Sequence, residues 1–494
     1  AAPSAPPRRR AAAARRPRLL TSHPERHPSP RLLLCLLLFA ITAPARAAEP
    51  DGKSTVKNVL FIISDDLKAS VLGCYGDKLC KTPNIDKLAA RGMLFTRAYC
   101  QGLVCRPSRL SFMFSLYPGT AGGKPYNPSM AELFKDFGYY TARVGKIYHM
   151  RVPGDIIAGT DGDDHPASWT ERFNCSGPEA HTPGLYALLN HNIFTTKPDN
   201  RQSTGDPHRM FVTVEAEGDG SDQPDHKAAT KAIELLRKHK DENFFLAVGF
   251  VRPHYPMVAP PSYFKPYPID KITMPRTVPN DHDDIPKAGY AGTTSQSSGI
   301  AKYPDNQKRM WAGYYASVTF MDEQVGRVLD ELDRLKLTDS TIIVFTSDHG
   351  YHLGEHELWQ KANVHEEVTR VPLIIAAPGK RTGRAETFAE LVDIYPTVAD
   401  LAGLEFPKSI VGRSLSLALD DPKTILRDTA YSGDGNKRSL RTKDWAYMAY
   451  GKDGNAGEEL YDMHRDPGQF TNLAKEKAYA EVVAGFRKRM AEMK

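Results

Sequence analysis

Val59-Leu60-Phe61-Ile62-Ile63-Ser64-Asp65-Asp66 is the stretch on which the fold reading turns. Its first five residues form a continuous apolar run of strand length. That pattern fits a strand buried on both faces, as in the parallel sheets of α/β proteins. Polar residues then end it. In open α/β sheets ligands bind beyond the carboxyl ends of the strands, so the residues just past each predicted strand are a test for a site.

Three other predicted strands pass that test. Residues 139–144 are followed by Gly145-Lys146 and then His149, residues 244–250 by Arg252-Pro253-His254, and residues 341–346 by Ser347-Asp348-His349. Four strands thus carry carboxylates, His and Lys to one rim. A further buried strand is predicted at 371–376. Between them lie amphipathic helices: one opened by Thr82-Pro83 and closed by Gly92, one over 130–137 with Ser129 as N-cap, and one over 227–239. The longest is predicted over 309–335, where Met310, Trp311, Tyr314, Tyr315, Val318 and Met321 recur at helical spacing and read as core. The alternation predicts an α/β fold with a mostly parallel sheet flanked by helices. Residues 153–222 and 279–304 are weakly periodic and read as loop-rich cover near a site. After Gly403 the pattern changes to short alternating strands, such as Trp445-Ala446-Tyr447-Met448-Ala449-Tyr450, and a terminal helix. The expected organisation is a leader and signal peptide at 1–47, a catalytic domain at 48–403 and a small C-terminal α+β subdomain at 404–494. No internal repeat is evident.

The formal charge of +6 over 494 residues gives no argument for a nucleic-acid partner. Nine arginines and one glutamate fall in residues 1–48, a net of +8, which leaves −2 for the remainder. In that same leader, an Arg-rich segment precedes the apolar run 32–41, and Ala45-Arg46-Ala47 comes next as a small-x-small cleavage site. The run is short for a membrane span, and no later segment is long and apolar enough. A secreted or periplasmic protein without a stable membrane span is expected, its mature chain beginning near Ala48; a membrane-anchored form is the alternative. Cys35 leaves with the signal. Cys74, Cys80, Cys100, Cys105 and Cys175 remain, and if Cys105 is chemically special the other four suffice for two bridges. Cys74 and Cys80 are close enough in sequence to pair. There is no CxxC and no Cys/His zinc pattern.

Asp65, Asp66 and Asp348 come from distant parts of the chain and would face each other across the rim. Three like charges in one crevice repel unless a cation sits among them. All-oxygen ligation favours Ca²⁺ or Mg²⁺ over zinc. The competing reading, that each Asp merely caps a turn, explains them singly but not their convergence.

The most specific signal is Cys105-Arg106-Pro107-Ser108-Arg109. It resembles the C-x-P-S-R motif of the type I sulfatases of the alkaline-phosphatase-like fold, in which the cysteine is oxidised to formylglycine and the hydrated aldehyde is the nucleophile. The resemblance runs from about residue 58 to 472. It is closest to the iduronate-2-sulfatase branch, through Gly73-Cys74-Tyr75-Gly76-Asp77, Val144-Gly145-Lys146, Arg252-Pro253-His254, Thr346-Ser347-Asp348-His349-Gly350, Leu353-Gly354-Glu355-His356, Trp359-Gln360-Lys361 and Glu459-Leu460-Tyr461-Asp462 with Asp466-Pro467. The resemblance implies one Ca²⁺, with Mg²⁺ second, held by Asp65, Asp66, Asp348 and modified Cys105. His349 would be a fifth ligand, standing where many sulfatases have Asn. Arg109 would steady the aldehyde hydrate and Lys146 hold its second oxygen. His149 would take a proton from the remaining hydroxyl. His254 and Lys361 would contact the sulfate, with His254 as acid for the leaving alcohol. One departure is plain: the family usually continues with Thr-Gly nine and ten residues after the Cys, and here those positions are Phe114 and Ser115.

The expected function is therefore an exported sulfatase acting on a sulfated saccharide, with iduronate-2-sulfate-like esters first, matured by a formylglycine-generating enzyme, and lysosomal if it comes from an animal cell. A phosphodiester or phosphonate monoester hydrolase on the same fold is the alternative. A non-catalytic glycan-binding relative is the third reading, and it would predict eroded ligands where all are present.

Overall fold

The computed structural model describes residues 56–119, 127–201, 205, 208–290 and 292–493. The expected leader and signal peptide, residues 1–47, lie outside the described residues.

Asn58–Asp65 is a strand buried at every position. It is paired in parallel with Thr341–Ser347 on one side and Phe244–Pro253 on the other. Alternate side chains part to opposite faces. Leu60 and Ile62 pack under the helices Pro224–Lys238 and Pro304–Arg334. Val59, Phe61 and Ile63 pack under Cys105–Phe114, Met130–Asp136 and Ile394–Leu401. Each fully buried side chain of this kind contributes about 1.5–3 kcal/mol, and a strand with both faces covered has no room for a polar alternation.

Beyond Phe244–Pro253 come Tyr140–Gly145 and Glu171–Phe173, both parallel to their neighbours. On the other side Leu373–Ala376 runs antiparallel to Thr341–Ser347, and Met93–Tyr99 is next, flanked by Arg370–Val371 and Gly383–Glu390. The sheet is thus mixed and mostly parallel. The predicted single strand at 371–376 is broken in two around Pro372, which has no N–H to give a ladder. Three strands of this sheet escape the sequence reading, the shortest being Glu171–Phe173. Met93–Tyr99 is interrupted by half-buried Thr96 and Arg97, and Gly383–Glu390 carries a bulge and exposed Arg384 and Glu386.

The long helix starts at Pro304, five residues before its predicted start at 309. Residues 305–308 are all polar, so periodicity cannot register that first turn, whereas Pro at the first position can. Ser129 caps Met130–Asp136 in a capping box with Glu132, as expected. Thr82 takes the N-cap position of Pro83–Ala90 but makes no cap bond. Its hydroxyl instead accepts from the Gly73 amide at 2.9 Å and donates to Asp86.

Residues 153–222 are more than loop. Gly184–Leu188, Ile193–Thr195 and Val212–Ala216 join Met257–Ala259 in a second four-stranded sheet. Near the C-terminus, Thr429–Gly433, Lys437–Thr442, Trp445–Tyr450 and Gly457–Asp462 make an antiparallel sheet in chain order. Helix Ala480–Glu492 covers one of its faces through Val483, Phe486 and Met490.

No disulfide forms among the described residues: Cys74, Cys80, Cys100, Cys105 and Cys175 are all free thiols. Cys74 and Cys80 do not pair. The Cys74 amide donates to Asp86, while the Cys80 amide donates to Asp77 and its thiol is buried against Tyr267 and Thr319. No described helix is long and apolar enough to cross a membrane.

Candidate active site

The four strands that the sequence reading sends to one rim are adjacent and mutually parallel, in the order Thr341–Ser347, Asn58–Asp65, Phe244–Pro253, Tyr140–Gly145. Their carboxyl ends therefore deliver Asp348 and His349, Asp65 and Asp66, His254, and Lys146 and His149 to the same edge. Gly145, at φ 72, lets the last strand turn there; a Cβ on it would lie 2.2 Å from the Gly249 carbonyl oxygen. Cys105 joins them as the first residue of helix Cys105–Phe114, with 4% of its surface exposed.

Arg109, one turn along that helix, is wholly buried and organises the carboxylates. Its Nη2 donates to Asp65 Oδ1 at 3.1 Å and its Nε to Asp348 Oδ2 at 2.9 Å. Its Nη1 donates to the Lys146 and Ile147 carbonyls at 2.6 and 2.9 Å. Lys146 pairs with the second oxygen of Asp65. Lys361 Nζ lies 2.5 Å from Asp66 Oδ1 and 3.2 Å from Cys105 Sγ. Three carboxylates thus meet three protein cations, so repulsion alone does not demand a metal here. Among the described residues the site keeps one unsatisfied anion atom: Asp66 Oδ2 is buried, accepts no hydrogen bond, and lies 3.7 Å from His254 Nε2.

Donor atoms of Asp65, Asp66, Cys105 and His349 all lie within 4.8 Å of one another. This buried set, with its orphaned carboxylate oxygen, fits a cation. All four are among the five ligands that the motif resemblance implies, so the set holds an imidazole and a sulfur beside the carboxylates. Asp348 stands beside it, not in it. One Asp348 oxygen accepts from Arg109 and the other from the Asp66 and His349 amides at 3.2 and 3.0 Å.

Burial and charge divide the titrating groups. Burial pushes Asp65 up, but Lys146 and Arg109 outweigh it and hold the carboxyl well below the usual range. Burial dominates at Asp66 and raises it to about 7 despite Lys361. At Cys105 burial and Asp65 push the thiol up, and Lys361 with Lys146 pull it below its ordinary value. His349 is opposed by burial yet raised to about 9 by Asp348 and its other anionic neighbours. His149 falls to about 4 through burial and Lys146, and its Nδ1 is buried without a partner among the described residues. Burial and Lys361 depress His254 strongly. The Nδ1 of His254 donates to the Tyr255 carbonyl at 2.6 Å and that of His349 to the Gly350 carbonyl at 3.0 Å. In the neutral ring this leaves the Nε2 lone pair facing the site.

Lys361 arrives on a strained loop. Gln360 and Ala362 on either side of it have φ 81 and 73, each costing about 1–2 kcal/mol for a residue with a Cβ. No strand end predicts Lys361; only the motif resemblance does. Asp66 is also left-handed, at φ 64, and its carbonyl accepts from Tyr314 at 2.6 Å. Tyr314 reads as core in the sequence, and helical spacing carries no signal of this second task. Ser115, where the family pattern has Gly, takes φ 50 at the end of the Cys105 helix. Its hydroxyl donates to the Val392 carbonyl at 2.8 Å and accepts from the Gly412 amide at 2.9 Å.

An open polar cleft of about 590 Å³ adjoins His149. Arg106, Arg151, Asp155, Asp161 and Asp163 line it, and Arg106 pairs with Asp163 at 2.9 Å.

The sulfatase family model matches residues 57–404, and that of the N-sulphoglucosamine sulphohydrolase C-terminal region matches 354–494. Iduronate 2-sulfatase of Homo sapiens is 35% identical over 439 residues, 77% of this chain and 76% of that protein. The Mus musculus protein is 34% identical over 419 residues, 73% and 71%. Among solved structures, phosphonate monoester hydrolase of Agrobacterium radiobacter superposes with TM-score 0.71 at 23% identity, covering 88% of this chain and 95% of that one. A structure in complex with its substrate D-glucosamine-2-N,6-O-disulfate superposes with TM-score 0.66 at 21% identity, covering 89% and 97%. At these identities the two structures show the fold.

Proposed function

The chain belongs to the sulfatase family and is a sulfuric ester hydrolase, and from that premise we propose that it is exported and desulfates a saccharide through a formylglycine made from Cys105. Iduronate-2-sulfate-like esters are the first candidates, by likeness to the two iduronate 2-sulfatases. One observation carries the reading. Cys105 and Arg109 share one helix turn, and Arg109 ties that turn to Asp65 and Asp348 while Lys361 and His349 reach the sulfur itself.

Oxidation of Cys105 by a formylglycine-generating enzyme would replace the sulfur by an aldehyde whose hydrate supplies the nucleophilic oxygen. It would also make the ligand set richer in oxygen, which suits a hard cation, Ca²⁺ first and Mg²⁺ second, over zinc. A bound cation would offset charge on the sulfuryl oxygens. Asp65, Asp66, His349 and residue 105 would hold that cation, with Asp348 as a neighbouring ligand.

The chain's own groups divide the remaining work. Arg109 and Lys146 fix the oxygens at position 105. His149, neutral at physiological pH, takes a proton from the hydroxyl there. Lys361 and His254 face the sulfate; with its Nδ1 proton held by the Tyr255 carbonyl, His254 would act as acid for the leaving alcohol through Nε2 as the imidazolium, which the anionic ester favours over the neutral ring. The sugar lies in the polar cleft between Arg106 and Arg151. Its lining of mutually paired Arg and Asp side chains suits sugar hydroxyl groups better than an aryl ring. We assign catalysis to residues 48–403 and take 404–494 as a supporting subdomain. Secretion or periplasmic export, or a lysosomal place in an animal cell, is the consequence of the expected signal.

The test is the mass of the peptide carrying position 105 from protein exported by its native host, with turnover of a sulfate monoester against a phosphonate monoester. An aldehyde and preference for the sulfate ester are expected. An unmodified thiol would end the formylglycine reading. Phosphonate turnover faster by orders of magnitude would move the protein to the alternative reaction.

A further inference from the structure

The loops that carry Cys105 and Lys361 are bound to each other and to the C-terminal sheet through contacts that the proposed chemistry does not use. Ala362, directly after Lys361, is left-handed at φ 73. Both its backbone polar groups are held. Its N–H donates to the Leu103 carbonyl at 3.1 Å, two residues before Cys105. Its carbonyl accepts from Lys437 Nζ at 2.7 Å, on the first residue of the strand Lys437–Thr442.

The surroundings repeat this junction. Leu103 and Val364 pack together against Ala446, Met448 and Tyr461 of the C-terminal sheet. His365 pairs with Glu459 of that sheet at 3.0 Å. The preceding strand holds the other loop: Ser432 donates to the Cys100 carbonyl at 2.5 Å and the Gly433 amide to the Gln101 carbonyl at 2.9 Å. A left-handed backbone at a residue with a Cβ persists only where its surroundings over-determine it. At Ala362 the C-terminal sheet supplies half of that constraint through one ammonium.

We propose that Lys437 is a positioning residue: by fixing the strained Ala362 carbonyl it keeps the Lys361 ammonium at Asp66 and position 105. The proposal rests on the reading of Lys361 as a sulfate-facing group. An ammonium suits the task because its several donors also reach the Tyr290 carbonyl, at 3.4 Å. Methionine matches its length and offers no donor, so the Ala362 carbonyl would be left unpaired and the turn free to relax.

The full-length protein tests this as Lys437→Met and Lys437→Arg, each with and without Ala362→Gly. Three readouts are needed: kcat and KM on a small aryl sulfate, amide hydrogen exchange over residues 358–364, and Tm. Lys437→Met should lower kcat/KM on the order of tenfold to a hundredfold, speed exchange over that segment, and move Tm little. Lys437→Arg should retain most activity. Ala362→Gly should restore a large part of the loss in Lys437→Met, because glycine takes the left-handed turn without penalty. Unchanged exchange and kcat/KM in Lys437→Met would overturn the proposal. So would a loss that Ala362→Gly fails to relieve and that tracks a fall in Tm. If the wild type turns over a phosphonate ester and not a sulfate ester, the sulfate reading falls. The exchange data and the glycine rescue, run on that ester, still decide the role of Lys437.

Discussion

Lys361 Nζ and Asp66 Oδ1 lie 2.5 Å apart although 295 positions separate them in the chain. The pair closes the site from two sides, with strained backbone under both partners: Asp66 itself is left-handed, and so are both neighbours of Lys361. Strain of this kind is stored where the fold must aim a side chain and is offset by contacts elsewhere.

Removing the cation from that pair should hurt catalysis more than folding. Lys361→Met is expected to lower kcat/KM for a sulfate monoester by about 10²–10³, the usual loss of one preorganised charge at a developing anion. Steady-state kinetics on the aldehyde-bearing protein measure it. A loss under tenfold would remove Lys361 from the reacting groups.

Arg109 should matter to both. It is buried between Asp65 and Asp348, and Arg109→Leu leaves those carboxylates without their shared partner. Breaking a buried pair from one side costs about 3–5 kcal/mol. Urea unfolding of the variant should show a midpoint lowered to match, with the m-value unchanged.

Ser115 poses a contest between strain and hydrogen bonds. Ser115→Gly relieves a left-handed residue, worth about 1 kcal/mol. It also strips the Val392 carbonyl and Gly412 amide of their partner, at roughly 1 kcal/mol each. The bonds win, so Ser115→Gly should be about 1 kcal/mol less stable than wild type even though it matches the family pattern. Ser115→Ala keeps the strain and loses the bonds, so it should be less stable than Ser115→Gly by about 1 kcal/mol. The reverse order would show that the turn is unstrained.

Away from the site, His356 accounts for a pH-dependent part of the stability. It pairs with Asp281 at 2.7 Å, and although burial opposes its charge, this bond and nearby carboxylates raise it from 6.5 to about 9. A histidine raised in the folded state binds its proton more tightly there. Its contribution is therefore full below about 6.5 and is lost as pH rises through about 9, on the order of 2–3 kcal/mol. The stability difference between wild type and His356→Gln should shrink between pH 6 and pH 9.5 in denaturant titrations. A difference that stays constant with pH would refute the assignment.

Chelation tests the cation fit. Treatment with a strong chelator should lower Tm and activity together, and added Ca²⁺ should restore both more fully than Mg²⁺. In Asp66→Asn the chelator should lose its effect on Tm. A Tm and activity that the chelator leaves unchanged would point to a site that holds no ion.

Much of the architecture can be read before any tertiary contact is considered. A five-residue apolar run ending in Ser64-Asp65-Asp66 is a local pattern, and so are the ends at Lys146, His254 and Asp348. Strands that are buried on both faces and parallel must put such ends on one edge, so their convergence is already implied by sequence. Cys105 to Arg109 is likewise a contiguous signal within one helical turn. What only the tertiary structure decided lies in contacts between distant residues. Arg109 and two lysines already balance the carboxylates, and Asp348 sits beside the tight donor set. Tyr314 supports the Asp66 turn from a helix that reads as core. Lys437, from a strand near the C-terminus, holds the turn after Lys361. None of these has a periodic or compositional trace, because each depends on which surfaces the packed sheet brings within hydrogen-bond reach.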